Sequence, residues 1–69
     1  VGMGFAQYVS WLRMNTFRRL LIETDRNIQD LVLEIGYVDV SSFLRKFKKI
    51  EGITAGQFRT QHAPFAAND

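Results

Sequence analysis

The sequence predicts an all-α fold: one long N-terminal helix followed by a compact unit of three short ones. Apolar residues recur at helical spacing, and no run alternates as a half-buried strand would. A glycine or a cap-forming side chain also stands at nearly every expected helix boundary. The 69 residues make one domain at most. That is close to the size at which a single core is marginal, since a 60-residue domain buries only about 60% of its unfolded surface. There is no Cys, so neither a disulfide nor a thiolate metal site can staple the fold. Stability must come from packing or from a partner.

The first pattern covers residues 5–23. Projected at about 100° per residue, Phe5, Tyr8, Val9 and Leu12 share one side, while Phe17, Leu20 and Leu21 share another. Trp11, Met14 and Ile22 fall outside both groups. A helix apolar on several sides is buried on several sides, and a chain this short cannot cover it all. The pattern therefore predicts a linking helix with an exposed Trp11 and a packing partner outside this sequence. The opening VGMGFAQYV lacks an initiator Met, as a piece of a longer protein would.

The second helix begins at Asn27, a cap residue. Asp30 is placed to return the bond as a capping box, its charge favoured at a helix N-terminus. Ile28, Leu31, Val32 and Ile35 follow at i, i+3, i+4 and i+7, and Gly36 is the expected left-handed stop. After a short connection comes a third helical stretch, residues 41–50, SSFLRKFKKI, with Asp39 as its expected N-cap and Ser41 as the alternative. Phe43, Phe47 and Ile50 fall within a wedge of about 60° and are expected in the core. Arg45, Lys46, Lys48 and Lys49, with Ser41 and Ser42, spread over the other side. Gly52 ends this helix. Thr54 and Gln57 form a further capping box that opens a short helix through Phe58 and Arg59. The closing residues HAPFAAND have no periodicity and are expected to fray.

One frame occurs twice, fifty residues apart. Gly2-Met3-Gly4-Phe5-Ala6-Gln7-Tyr8 and Gly52-Ile53-Thr54-Ala55-Gly56-Gln57-Phe58 both read glycine, apolar, cap, two residues, Gln, aromatic. The chain would then start at the end of one repeat and contain the whole of the next.

A short helix, a Gly-containing turn and a helix apolar on its inner face are a helix-turn-helix pattern, whose second helix fits the DNA major groove. Four cations within five positions and no acid differ from an ordinary solvated face, which mixes signs. Arg45 lies mid-arc, where a guanidinium can donate two bonds to guanine, and Ser41 and Ser42 lie at the end nearest base edges. Lys46, Lys48 and Lys49 suit flanking phosphates. The rival reading is a basic helical protein-interaction module, which needs the charges but not their order. The net charge of +2 and the pI near 9.4 lean basic without deciding.

No apolar run approaches the roughly 20 residues of a membrane helix. The lack of Cys fits a reducing compartment, and a cytoplasmic location is expected. His62, the only His, has no companion ligands for a metal. Asp25 and Glu51 read as solvated or capping charges. No nucleophile has a base and no Gly-rich phosphate loop is present, so neither catalysis nor a cofactor is expected.

From Leu12 to Arg59 the sequence resembles the DNA-binding domain of the AraC/XylS family of bacterial transcription regulators. The resemblance is carried by LLIETDRNIQDLVLEIGYVDVSSFLRKFKKIEGITAGQFR. Leu20-Leu21, Ile28, Leu31, Glu34, Gly36, Asp39, Ser41, Phe43, Arg45, Phe47, Lys48, Lys49, Gly52, Thr54, Gln57 and Arg59 fall at matching spacing. It implies a homeodomain-like three-helix unit with a long N-terminal linking helix, binding double-stranded DNA. Residues 1–26 would be the remnant of a first helix-turn-helix unit and the linking helix. Residues 27–60 would be the second unit and 61–69 a flexible tail, with any effector or dimerisation domain outside this chain. Thr24, Arg26 and Asn27 would approach the phosphate backbone, with plain capping as the alternative. Activation through RNA polymerase is compatible with the resemblance.

Three places depart from the family pattern. Val32 replaces an Ala between the two helices of the motif. Val40 replaces a Pro or polar residue, which turns a base contact there apolar, toward a thymine methyl. Thr16-Phe17 replaces Arg-Ala and puts local packing in question.

Overall fold

A computed structural model describes residues 4–62. Residues 1–3 and 63–69, which carry the start of the repeated frame and most of the expected tail, lie outside the described residues. Four α-helices follow in order: α1 Phe5–Glu23, α2 Ile28–Glu34, α3 Val40–Glu51 and α4 Ala55–His62. There is no strand among the described residues, and none of these helices is long and apolar enough to cross a membrane.

Local chemistry places the boundaries. Asn27 Oδ1 accepts from the Gln29 and Asp30 N–H groups at 2.8 and 3.4 Å. Among the described residues Asp30 makes no return bond, so this is a cap rather than the expected box. At the far end of α2, the Gly36 N–H donates to the Leu33 carbonyl and the Tyr37 N–H to that of Val32. This paired pattern requires a left-handed residue, and Gly36 has φ +106°. A side chain there would also meet the Arg13 guanidinium 3.3 Å away. Asp39, not Ser41, caps α3, accepting from the Ser42 N–H at 3.0 Å. The Thr54–Gln57 box closes in both directions, at 2.9 and 3.1 Å. At the other occurrence of the frame, the Gly4 N–H likewise donates to Gln7 Oε1. The two Gln residues therefore do the same work fifty residues apart.

The core joins Met14, Phe17 and Leu21 of α1 to Leu31, Val32, Phe43, Phe47, Ala55 and Phe58. Phe17 meets Phe43 and Phe47 edge-on, with ring centroids 4.8 and 5.3 Å away, and Phe47 meets Phe58 in the same way at 5.4 Å. The departure at Thr16-Phe17 is thus resolved: Phe17 is fully buried and ties α1 to α3. Met14, expected outside both apolar groups of α1, is buried because it stands three and seven residues before Phe17 and Leu21 on their stripe.

Ile50 corrects the expected core, being 53% exposed. It borders an open groove shared with Trp11, Met14 and Arg18 of α1 rather than a closed interior. Glu51 corrects another expectation, since it pairs with the Arg18 guanidinium, which also donates to Asn15 at 2.6 Å. The last helix runs to His62, beyond the expected end at Arg59, and the His62 ring lies 4.4 Å from that of Phe58. The N-terminal half of α1 is exposed as expected, with Phe5, Tyr8, Trp11 and Leu12 all open to solvent.

Arg59 closes the unit. Its guanidinium donates to the carbonyls of Leu21, Thr24 and Arg26 at 3.0, 3.1 and 2.6 Å, pinning the α1–α2 connection to α4. Partial burial lowers its pKa and nearby Asp25 opposes that shift, yet an arginine remains cationic throughout the working range.

Phe17→Ala should lower stability by about 3–5 kcal/mol in urea unfolding, because α1 loses its wedge between Phe43 and Phe47. A loss below about 1 kcal/mol would mean that α1 docks without it. Arg59→Ala should cost about 1–3 kcal/mol by stranding three carbonyls. Amide exchange should accelerate across residues 24–27 more than in α3; uniform acceleration would contradict a local clamp.

Candidate nucleic-acid interface

The core contacts of Phe43 and Phe47 turn the opposite side of α3 outward. Ser41, Ser42, Arg45, Lys46, Lys48 and Lys49 are all exposed. Ser41, Arg45 and Lys48 stand at i, i+4 and i+7 and form one wall of a concavity of about 460 Å³. Leu44 and Ile28 supply its apolar floor, and Thr54, Ala55 and Gly56 at the start of α4 supply the facing side. The contribution of α4 was not anticipated from the sequence. Its capping box was legible, but where that box lies relative to α3 depends on how the two helices pack.

The other expected contacts divide. Lys49 and Ser42 flank the stripe on the exposed surface. Lys46 points elsewhere, its ammonium donating to the Ser10 hydroxyl of α1 at 3.1 Å. Val40 is half-buried and packs against the core, which leaves only part of it for a groove. Lys48 and Lys49 also occupy the last turn of α3, where cations complement the helix dipole.

At the α1–α2 connection all three expected residues already have internal partners. The Thr24 hydroxyl donates to the Leu20 carbonyl at 2.8 Å, Asn27 caps α2, and Arg26 pairs with Glu34. Elsewhere, Arg18 pairs with Glu51 and Arg19 with Glu23. Among the described residues no salt bridge engages Arg45, Lys46, Lys48 or Lys49. The arginines of α1 and of the α1–α2 connection that could reach a carboxylate do so, while Arg45, Lys48 and Lys49 of α3 present their charge outward. No group of residues among those described could hold a metal ion.

Asp39 and Arg45 were expected to do separate jobs, one capping and one reading. They are connected. The Ser42 hydroxyl donates to Asp39 Oδ2 at 2.9 Å and accepts from Arg45 Nη2 at 3.2 Å. The Ser42 N–H, then its hydroxyl, and to a smaller extent Arg45 hold the Asp39 carboxyl below the usual carboxylate range; slight desolvation opposes them.

A family model described as "Helix-turn-helix domain" matches residues 1–61. The chain is 39% identical over 61 residues to the "Uncharacterized HTH-type transcriptional regulator YtdP" of Bacillus subtilis, covering 88% of this chain and 8% of that protein. It is 38% identical over 53 residues to the "Melibiose operon regulatory protein" of Escherichia coli, covering 77% and 18%. It is 37% identical over 57 residues to the "Transcriptional activator NphR" of a Rhodococcus species, covering 78% and 17%. The chain thus spans less than a fifth of the length of each of these relatives. No solved structure matches it significantly.

The depressed pKa of Asp39 fixes the sign of a pH effect. A carboxyl with a folded pKa below its ordinary value of about 3.9 stabilises the fold at all higher pH. That stability is lost as pH falls through the folded value. Asp39→Asn keeps a cap oxygen but no charge, so native and variant melting temperatures should differ by a constant amount above about pH 5 and converge in acid. A gap that widens on acidification would contradict the assignment.

Proposed function

Because the chain belongs to the AraC/XylS family of helix-turn-helix transcription regulators, a DNA-binding domain, we propose that α3 enters the major groove and that Arg45 reads base edges there. Ser41 and Ser42 assist it, and Val40 offers an apolar contact to a thymine methyl. Lys46, Lys48 and Lys49 neutralise flanking phosphates, Lys46 by leaving Ser10. The α1–α2 junction, with Thr24, Arg26 and Asn27, approaches the phosphate backbone in addition to its capping work. The observation that carries this reading is the outward charge of α3: Arg18, Arg19 and Arg26 are paired with carboxylates while the α3 cations are not. A polyanion completes such a face, and the ordered stripe Ser41–Arg45–Lys48 beside a concavity favours a groove over a merely acidic protein surface.

In the longer protein, the exposed apolar side of α1 receives a preceding helix-turn-helix unit. Residues 1–26 belong to that junction and 27–60 form the second reading unit, whose last helix continues to His62. The relatives named as a regulatory protein and a transcriptional activator support a role in activation; a cytoplasmic location and contact with RNA polymerase belong to the same proposal, and no catalytic role is proposed. A single unit makes half of the groove contacts, so binding by this chain should be weak and steeply salt-dependent.

Selection from randomised duplex DNA at low salt tests the reading. The native chain should enrich one motif. Arg45→Ala should relax preference at one base pair by about 1–3 kcal/mol, while Lys48→Ala should weaken all sequences alike and reduce the salt slope by about 1. Equal losses on every sequence for both variants would overturn base reading by α3.

A further inference from the structure

The hydrogen bonds at the start of α3 do more than end a helix. An N-cap needs one side-chain oxygen, and Asp39 supplies Oδ1 to the Ser42 N–H at 3.0 Å. Its second oxygen, Oδ2, takes the Ser42 hydroxyl proton at 2.9 Å. An ionised carboxylate can only accept, so the direction of that bond is fixed. The serine oxygen keeps its lone pairs, and one of them accepts from Arg45 Nη2 at 3.2 Å. The three side chains stand at i, i+3 and i+6, along one edge of α3.

We propose that Asp39, acting through Ser42, is a positioning residue that presets the Arg45 guanidinium for base recognition; this rests on the reading of Arg45 as the base-reading side chain. Ser42 then has no proton left to offer a base, and its part in recognition is to hold Arg45. The guanidinium has five N–H donors. One goes to Ser42 and four remain, enough for a two-bond contact with a base edge. Free arginine samples many rotamers, and holding one in advance reduces what DNA binding must order. Asp39 also brings a negative charge near a phosphate-binding face, which opposes indiscriminate binding of DNA. The relay therefore favours discrimination at the expense of bulk affinity. The depressed pKa of Asp39 agrees with a carboxylate that stays ionised in this role.

The test measures binding to the selected duplex, and to duplexes altered at the base pair read by Arg45, with melting temperatures in parallel. Ser42→Ala should relax discrimination at that base pair by roughly three- to ten-fold, and add nothing in the Arg45→Ala background. Ser42→Thr, which retains the hydroxyl, should restore it. Asp39→Asn should lower discrimination without lowering affinity for unrelated DNA; a residue important only for helix stability would lower both. The relay fails if Ser42→Ala costs the same with or without Arg45, or relaxes a different base pair. If Arg45→Ala leaves every preference intact, the base-reading assignment itself fails and takes the relay with it.

Discussion

Edge-on contact of Phe47 with Phe17 and Phe58 is the constraint on which the rest depends. Those rings fix the rotation of α3 about its own axis, with α1 on one side and α4 on the other. Once that rotation is set, the direction of every other α3 side chain follows from helical geometry. Ser41, Arg45 and Lys48 are presented as a stripe because Phe43 and Phe47 cannot face anywhere else. The binding surface is thus a consequence of how the core packs, and a chain of this size has few other buried contacts with which to hold it.

Polar contacts then lock the ends that the aromatic cluster leaves loose. Arg59 reaches from α4 to three carbonyls near the α1–α2 connection, replacing hydrogen bonds the backbone cannot make at that corner. The paired bonds at Gly36 close α2, and the Asp39 cap opens α3. Charge is sorted by the same logic. Arg18 and Arg26 lie within reach of Glu51 and Glu34 and are paired with them, while α3 contains no acid before Glu51 and keeps Arg45, Lys48 and Lys49 outward. The long α1 contributes its C-terminal half to this unit and leaves Phe5, Tyr8, Trp11 and Leu12 open.

Some errors of sequence reading have a common origin. Ile50 shares a helical wedge with Phe43 and Phe47, but the wedge is buried only where another helix crosses it. Periodicity supplies direction, not coverage. Met14 was misplaced by grouping the α1 residues into two faces when its own spacing to Phe17 and Leu21 puts it on the buried stripe. Lys46 was counted with the outward cations although it lies near the edge that α1 approaches, and Ser10 receives it. Arg59 and Glu51 were legible as a family position and a charge. Their partners lie 33 to 38 residues away in sequence, beyond the reach of a local pattern.

By itself the sequence determined the helix order, most helix ends and the family. Those properties reside in residues near each other in the chain: Asn27, Gly36, Asp39, Gly52 and the Thr54–Gln57 pair act within one turn of themselves. It also determined that α3 would be cationic without an internal acid before its last residue. Only the tertiary structure decided which apolar residues are covered and that α4 borders the Ser41–Arg45–Lys48 stripe. It alone joined Asp39, Ser42 and Arg45 in one hydrogen-bonded chain. Those outcomes depend on side-chain rotamers and on the angles at which helices cross, and both are settled by packing that the spacing of residues along the chain does not encode.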